Sequence, residues 1–269
     1  MRPAIFSGSK TIEIGPTVRS RRAVDYQEVA RPVAAMADEY PPGHATVWHA
    51  HRRSQLFYGS SGVTRVATKD GTWIAPPLRA IWVPGEIEHQ VICRGPVSFR
   101  TLYIDPGVSA RLPTECRVLE VSDLLRALII ESVSIPLDYD VEGRDGCLVD
   151  LILHEIESAP VSPLHIRMPH SRNLRKMCDR ILKDPSINAD LDYWSEKTGM
   201  SRRTLTRHFR METGMSVATW LKQARLVEAL SRLAEGASVT TVAFEVGYES
   251  SSAFGAMFRR TFGCSPTRY

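Results

Sequence analysis

Leu191-Asp192-Tyr193-Trp194-Ser195-Glu196-Lys197-Thr198-Gly199-Met200-Ser201-Arg202-Arg203-Thr204-Leu205-Thr206-Arg207-His208-Phe209 is the stretch whose reading decides the fold. Its internal spacing returns in Val239-Thr240-Thr241-Val242-Ala243 through Gly247-Tyr248 to Ser250-Ser251-Ser252-Ala253-Phe254, ending Met257-Phe258-Arg259-Arg260. Each copy has a small residue, Ser195 or Ala243, where two helices cross closely. A glycine follows four positions later, Gly199 or Gly247, where a tight turn asks for positive φ. A serine, Ser201 or Ser250, then stands ready to cap the next helix by accepting from its free N–H groups. The repeat predicts two helix-turn-helix units in tandem.

Working outward, Trp220, Leu221, Ala224, Leu226, Val227, Leu230 and Leu233 form an apolar stripe at helical period, a rigid spacer between the units. Such a spacer would hold two second helices about one DNA turn apart, roughly 34–36 Å, on a site of ~20 base pairs. On the first of these helices Leu205 and Phe209 should turn inward, leaving Arg203, Thr206, Arg207 and Arg210 on another face. Arginine bonds guanine O6 and N7 bidentately, so Arg203 and Arg207 are the expected base readers, with Arg202 and Arg210 on phosphates. On the second, Phe254 and Phe258 take the core positions. Ser251, Ser252, Gly255 and Ala256 are then expected to face outward, suited to thymine methyls or the backbone, with Arg259 and Arg260 adding phosphate charge.

Charge follows the motif. From His170 to Tyr269 there are 16 Lys+Arg against 10 Asp+Glu, leaving 18 against 20 over the rest of the 269 residues. The basic excess therefore lies in the segment that would meet phosphates. Five cysteines, widely spaced and without a C-x-x-C pair, fit reduced buried thiols rather than a disulfide framework or a zinc site. Met1–Gly8 has no signal-peptide apolar core, and no apolar stretch approaches the ~20 residues of a membrane span. A cytoplasmic protein is expected.

Residues up to about 105 run in short alternating stretches rich in Val, Thr and aromatics, including Ala45–His49, Leu56–Tyr58, Val63–Val66, Ala80–Val83 and Ser98–Tyr103. Many short strands broken by turns imply a sandwich or barrel. Residues 121–158 switch to helical period in two segments separated by Pro136–Gly143. The stretch from Ala159 to Pro169 reads as a stiff, semi-extended proline-bearing linker.

The C-terminal hundred residues resemble the DNA-binding domain of the AraC/XylS family of bacterial transcription regulators. The likeness rests on Gly199-x-Ser201-x-x-x-Leu205-x-Arg207-x-Phe209, Glu212-x-Gly214 and Ala243-x-x-x-Gly247-Tyr248. It continues as Ser252-x-Phe254-x-x-x-Phe258-Arg259-Arg260-x-Phe262-Gly263-x-Ser265-Pro266-x-x-Tyr269. Ala256 departs from the pattern, which often has arginine or a larger polar residue there. Residues 40–105 resemble the family's cupin-like sensor domain. Gly43-(x5)-His49-x-His51-(x3)-Gln55-(x6)-Gly62 follows the first cupin motif, with glutamine for the usual glutamate. Pro84-x-x-x-x-His89 follows the second, with Glu86 at its usual glycine.

His49 and His51, two apart on a strand, would share one face. With His89 they make either a three-imidazole site suited to zinc, iron or nickel or part of a polar effector pocket. Gln55 is a weaker ligand than a carboxylate. Phe57 and Trp82 are taken with His49, His51, Gln55 and His89 as the effector pocket, while Trp48 and Phe99 either line it or fill the barrel.

The expected fold class is a multidomain α+β chain. Residues 1–110 form the cupin-like barrel, 111–160 a helical pair where the family places dimerisation, 161–172 the linker and 173–269 the tandem helix-turn-helix domain. The resemblance implies a non-enzymatic regulator whose partners are double-stranded promoter DNA, a small effector, RNA polymerase and a second copy of itself. No cofactor is required by it, and the imidazoles admit a divalent metal. The competing reading from the same histidines is a metal-dependent cupin enzyme fused to a DNA-binding module.

Overall fold

The computed structural model describes residues 19–187 and 190–268; Met1–Gly8 and Tyr269, read above, lie outside the described residues. Among the described residues ten strands form two antiparallel sheets. The larger sheet has the order β1 (Val33–Tyr40), β7 (Val97–Ile104), β2 (Ser54–Gly59), β5 (Arg79–Val83), β8 (Arg117–Glu120), β9 (Val161–Ser162). The smaller runs β10 (His165–Arg167), β4 (Gly71–Ala75), β3 (Val63–Thr68), β6 (His89–Arg94).

Period-two alternation gives each strand two destinations. Phe57, Ile81, Val83, Val91 and Phe99 turn into the interior between the sheets. Their neighbours Leu56, Tyr58, Ala80, Trp82 and Leu102 turn outward from the larger sheet. There they meet Leu125 and Ile129 of α2 (Asp123–Ser132) and Val149, Ile152 and Ile156 of α3 (Arg144–Ser158). Full burial of each such side chain stabilises by about 1.5–3 kcal/mol, so the helical pair is held on the barrel by its apolar stripe. A four-residue helix, α1 (Pro106–Ser109), precedes β8.

The outer face of the smaller sheet is covered by the C-terminal helices. Val63, Ile74 and Ile166 pack in one core with Leu174 of α4 (Arg172–Lys183) and with Trp220, Ala224 and Val227 of α7 (Val217–Ala234). The Trp220 indole N–H donates to the Arg167 carbonyl at 2.6 Å, and Arg94 pairs with Glu235 at 3.6 Å. The 161–172 stretch read as linker carries β9 and β10, so it pairs with both sheets before entering α4.

One expected strand is replaced. Ala45–His49 forms only two isolated bridges, Ala45 to Ile92 and His49 to His89. Between them Thr46 Oγ1 accepts from the Val91 N–H and the Gln90 side chain donates to the Thr46 carbonyl. The Thr46 N–H still donates to the Val91 carbonyl at 3.0 Å, so side chains take over only the return half of the ladder, and the strand is interrupted there.

The remaining helices are α5 (Leu191–Thr198), α6 (Arg202–Thr213), α8 (Val239–Glu245) and α9 (Ser251–Phe262). None of the described helices is long and apolar enough to cross a membrane.

Candidate nucleic-acid interface and barrel site

Units α5–α6 and α8–α9 are built alike. Ser201 accepts from the Thr204 N–H at 3.2 Å and Ser250 from the Ala253 N–H at 3.1 Å, so both second helices begin on a serine cap. Gly199 and Gly247 sit at φ +69° and +81°, where a β-carbon is disfavoured. Leu205 and Phe209, and in the second unit Phe254 and Phe258, are completely buried. Spacer α7 is 18 residues long, about 27 Å at 1.5 Å per residue.

The outer faces differ. Arg203, Thr206, Arg207 and Arg210 are all exposed on α6, opposite the buried Leu205–Phe209 stripe. Arg202, also exposed, pairs with Asp192 of α5, which ties its guanidinium across the unit. The Thr206 hydroxyl donates to the Arg202 carbonyl at 2.9 Å. On α9, Ser252, Ala256, Arg259 and Arg260 are exposed and Ser251 is half-buried. Gly255, expected outward, is buried. A β-carbon there would meet only the Arg259 guanidinium, at 3.7 Å, so the arginine one turn on lies over the glycine.

Inside the barrel the three histidines converge. His49 and His89 exchange both backbone hydrogen bonds, at 3.0 and 2.8 Å, which sets them directly opposite each other. Their ring centroids are 4.5 Å apart, with His51 at 4.8 Å from His49 and 5.7 Å from His89. The Nδ1–H groups of His49 and His89 donate to the carbonyls of Val47 and Ile87, each at 2.7 Å. A carbonyl accepts only, so these bonds require a proton on Nδ1 of each ring, which selects the tautomer that carries its lone pair on Nε2 when the ring is neutral. Nε2 of His51 and of His89 is buried without a hydrogen-bond partner, as is Gln55 Oε1. Burial, then the charge of the neighbouring histidines, pushes His51 down to about 4; burial does the same to His89. Both rings are therefore neutral near pH 7.

His49 and His51 border a cavity of about 70 Å³ lined also by Arg21, Tyr40, Gln55, Phe57, Phe99 and Tyr103, whereas His89, expected in the pocket, stands behind them and outside its lining. Trp82 is elsewhere. It shares the outward face of β5 with Ala80, packs under the helical pair and donates to the Pro113 carbonyl at 2.7 Å. A one-residue change of strand parity moves a side chain to the other face, and Ile81 and Val83 hold the inward positions. Trp48 is 48% exposed and lies on the surface.

Two features of the second cupin-like motif become clear. Glu86 adopts φ +64°, so the backbone keeps the left-handed conformation for which a glycine would be suited. Its N–H donates to the His51 carbonyl at 2.7 Å, linking that turn to the first motif.

Several working residues carried no sequence signal. Tyr40 and His44 line the cavity, their rings stacked at 4.3 Å, yet neither belongs to a spaced motif. Arg225 of α7 donates to the carbonyls of Pro185, Gly247 and Ile187, clamping the second turn to the loop after α4. Glu212 accepts from the Ser171 N–H at 2.8 Å at the start of α4; only its place in the Glu212-x-Gly214 pattern hinted at a role.

Comparison with known proteins agrees with this architecture. Residues 194–269 match a helix-turn-helix domain model, and residues 32–152 match a model described as the AraC-like ligand binding domain. The HTH-type transcriptional regulator NimR of Escherichia coli K12 is 32% identical over 223 residues, covering 82% of this chain and 81% of NimR. RipA of Corynebacterium glutamicum, also an HTH-type transcriptional regulator, is 30% identical over 127 residues, 47% of this chain and 37% of its own. Among solved structures, ToxT from Vibrio cholerae aligns over 89% of this chain and 98% of its own at 12% identity and a TM-score of 0.37, too loose to place any residue. The tandem capped units, the two-sheet barrel, the two family models and the likeness to NimR over 82% of this chain together place it in the AraC family of helix-turn-helix transcription regulators.

Proposed function

We propose that the chain is a sequence-specific regulator that reads promoter DNA chiefly through α6, and whose output responds to a small effector held in the barrel. The observation that carries the reading is the exposed Arg203, Thr206, Arg207 and Arg210 face on a capped helix whose other side is fully buried. Three arginines at that position match the bidentate donor geometry that guanine edges accept. Helix α9 offers Ser252 and Ala256 with Arg259 and Arg260, a surface that approaches the backbone closely and adds phosphate charge without a comparable base code. The work of the chain is binding in the cytoplasm, not catalysis, in keeping with its relatives' description as regulators.

Coupling has a physical route. The interior core of the barrel is continuous with residues of α7, α8 and α9, and the smaller sheet lies directly on α4 and α7. An effector acts only by binding one arrangement of these parts better than another. On the opposite side of the barrel, Leu124, Ile130 and Leu151 are exposed at 48%, 44% and 41%, apolar surface available for joining two copies through the helical pair.

The test is selection of genomic fragments by the full-length chain at near-physiological salt, beside an Arg203→Ala/Arg207→Ala variant. The expected result is enrichment of a ~20 base-pair site that the double variant loses. Enrichment that survives in the variant would refute base readout by α6.

A further inference from the structure

Spacer α7 carries the two units on different faces. Successive residues turn about 100° on a helix, so Trp220, Ala224 and Val227 share one face and Leu226, Ala229 and Leu230 another. The first face packs with Leu205 and Phe209, the second with Phe254 and Phe258, in two separate cores. Arg225 falls on the seam between these faces. Apolar burial holds each unit on the spacer but is non-directional, so fixing one relative rotation takes directional bonds.

From that seam the Arg225 guanidinium reaches both units. Nε donates to the Pro185 carbonyl at 3.0 Å and Nη2 to the Ile187 carbonyl at 3.4 Å, in the loop that leads into α5. Nη1 donates to the Gly247 carbonyl at 3.1 Å, in the turn of the second unit. The loop is itself closed by Asp184, whose Oδ1 accepts from the Ser186 N–H at 3.1 Å. On the other side Tyr248 meets Phe254 edge-on at 5.5 Å, which carries the position of the turn into α9. A guanidinium holds its donors in a rigid planar fork, so three carbonyls are met together at only one relative placement.

The glycine of that turn registers the same contact. A β-carbon on Gly247 would stand 2.7 Å from Arg225 Nη2 and 3.1 Å from the Ser186 Cα. The second turn therefore lies directly against the entry to the first unit. At Gly199, its counterpart, an added β-carbon meets nothing within 4 Å among the described residues.

We propose that Arg225 is a positioning residue for DNA binding. It locks the two units at one orientation, so that α9 meets phosphates in the same encounter in which α6 meets bases. This rests on the reading above, in which α6 supplies base contacts and Arg259 and Arg260 supply phosphate contacts. A pre-set orientation removes the ordering cost that two freely rotating units would meet on binding. Without the fork, the second unit keeps its fold and its arginines but no longer holds them over the backbone.

The test measures affinity of the full-length chain by anisotropy across salt concentrations, on a ~20 base-pair duplex of the selected site and on a scrambled duplex. Arg225→Met should weaken both duplexes by the same factor. It should lower the salt slope by about two, from two lost phosphate contacts at about 0.9 each. In the parent chain Arg259→Ala/Arg260→Ala should lower the slope equally; added to Arg225→Met, it should change nothing further. Arg225→Lys keeps the charge without the fork, so it should behave as Arg225→Met does. Gly247→Ala, which displaces the guanidinium while retaining it, should lower the slope in the same way and serves where Arg225→Met does not fold. A parental slope in folded Arg225→Met or in Gly247→Ala, or a full further loss on removing Arg259 and Arg260, would overturn the proposal. So would a parental slope in Arg225→Lys beside a lowered one in Arg225→Met, which would make Arg225 itself a phosphate contact. Equal affinity of the parent chain for the two duplexes would sink base reading by α6 instead, and the salt-slope coupling would still decide the role of Arg225.

Discussion

The two helix-turn-helix units share a skeleton and differ at the surface. Each has a serine cap, a positive-φ glycine and two buried hydrophobic anchors one helical turn apart. One presents arginines at three exposed positions of its outer face; the other presents serine and alanine with two arginines at its C-terminal end. The difference teaches that the fold of a unit and its capacity to read bases are written in separate residues. Packing fixes where the helix lies, and the opposite face decides what it can distinguish.

The skeleton half of this comparison yields the largest expected effects. Phe209→Ala and Phe258→Ala should each destabilise the chain by about 3–5 kcal/mol, measured by urea unfolding, because both rings are fully buried. A nearly silent Phe258→Ala would mean the second unit is not anchored as the first is. The turns should separate the units further. At Gly199 an added β-carbon meets nothing within 4 Å, so Gly199→Ala should cost only the conformational term, about 1–2 kcal/mol. At Gly247 it would stand 2.7 Å from the Arg225 guanidinium, so Gly247→Ala should cost visibly more and should loosen the clamp on Pro185 and Ile187. Equal midpoints for the two variants in urea would contradict this.

The surface half predicts smaller effects on binding with stability unchanged. Arg207→Ala should weaken the preferred site by about 1–3 kcal/mol and relax specificity at one base position. Arg259→Ala should weaken all sequences alike and lower the salt slope by about one, as measured by anisotropy titrations across salt concentrations. A change of base preference on removing Arg259 would give the second unit a reading role that its surface does not suggest.

Much of this was legible from spacing alone. Glycine, serine and phenylalanine at fixed intervals define a helix-turn-helix unit because turn, cap and core each accept few residue types. The convergence of His49, His51 and His89 was legible too, although the mechanism differs from simple strand parity: an isolated bridge, not a continuous strand, places His49 opposite His89. Trp82 was misplaced because an apolar strand buried on both faces gives no alternation from which to choose a side. Gly255 was misread because a helical wheel cannot show Arg259 folding back over it. Tyr40, His44 and Arg225 act through contacts made only after the chain has folded, and Arg225 reaches three carbonyls by a route no local pattern encodes.

The most direct test of the central claim is a binding-energy profile of every base position across a randomised ~20 base-pair library, for the full-length chain and for Arg207→Ala and Ser252→Ala. The account predicts sharp discrimination confined to one half-site, lost in Arg207→Ala and retained in Ser252→Ala. Equal discrimination in both half-sites, or a profile that Arg207→Ala leaves intact, would contradict it.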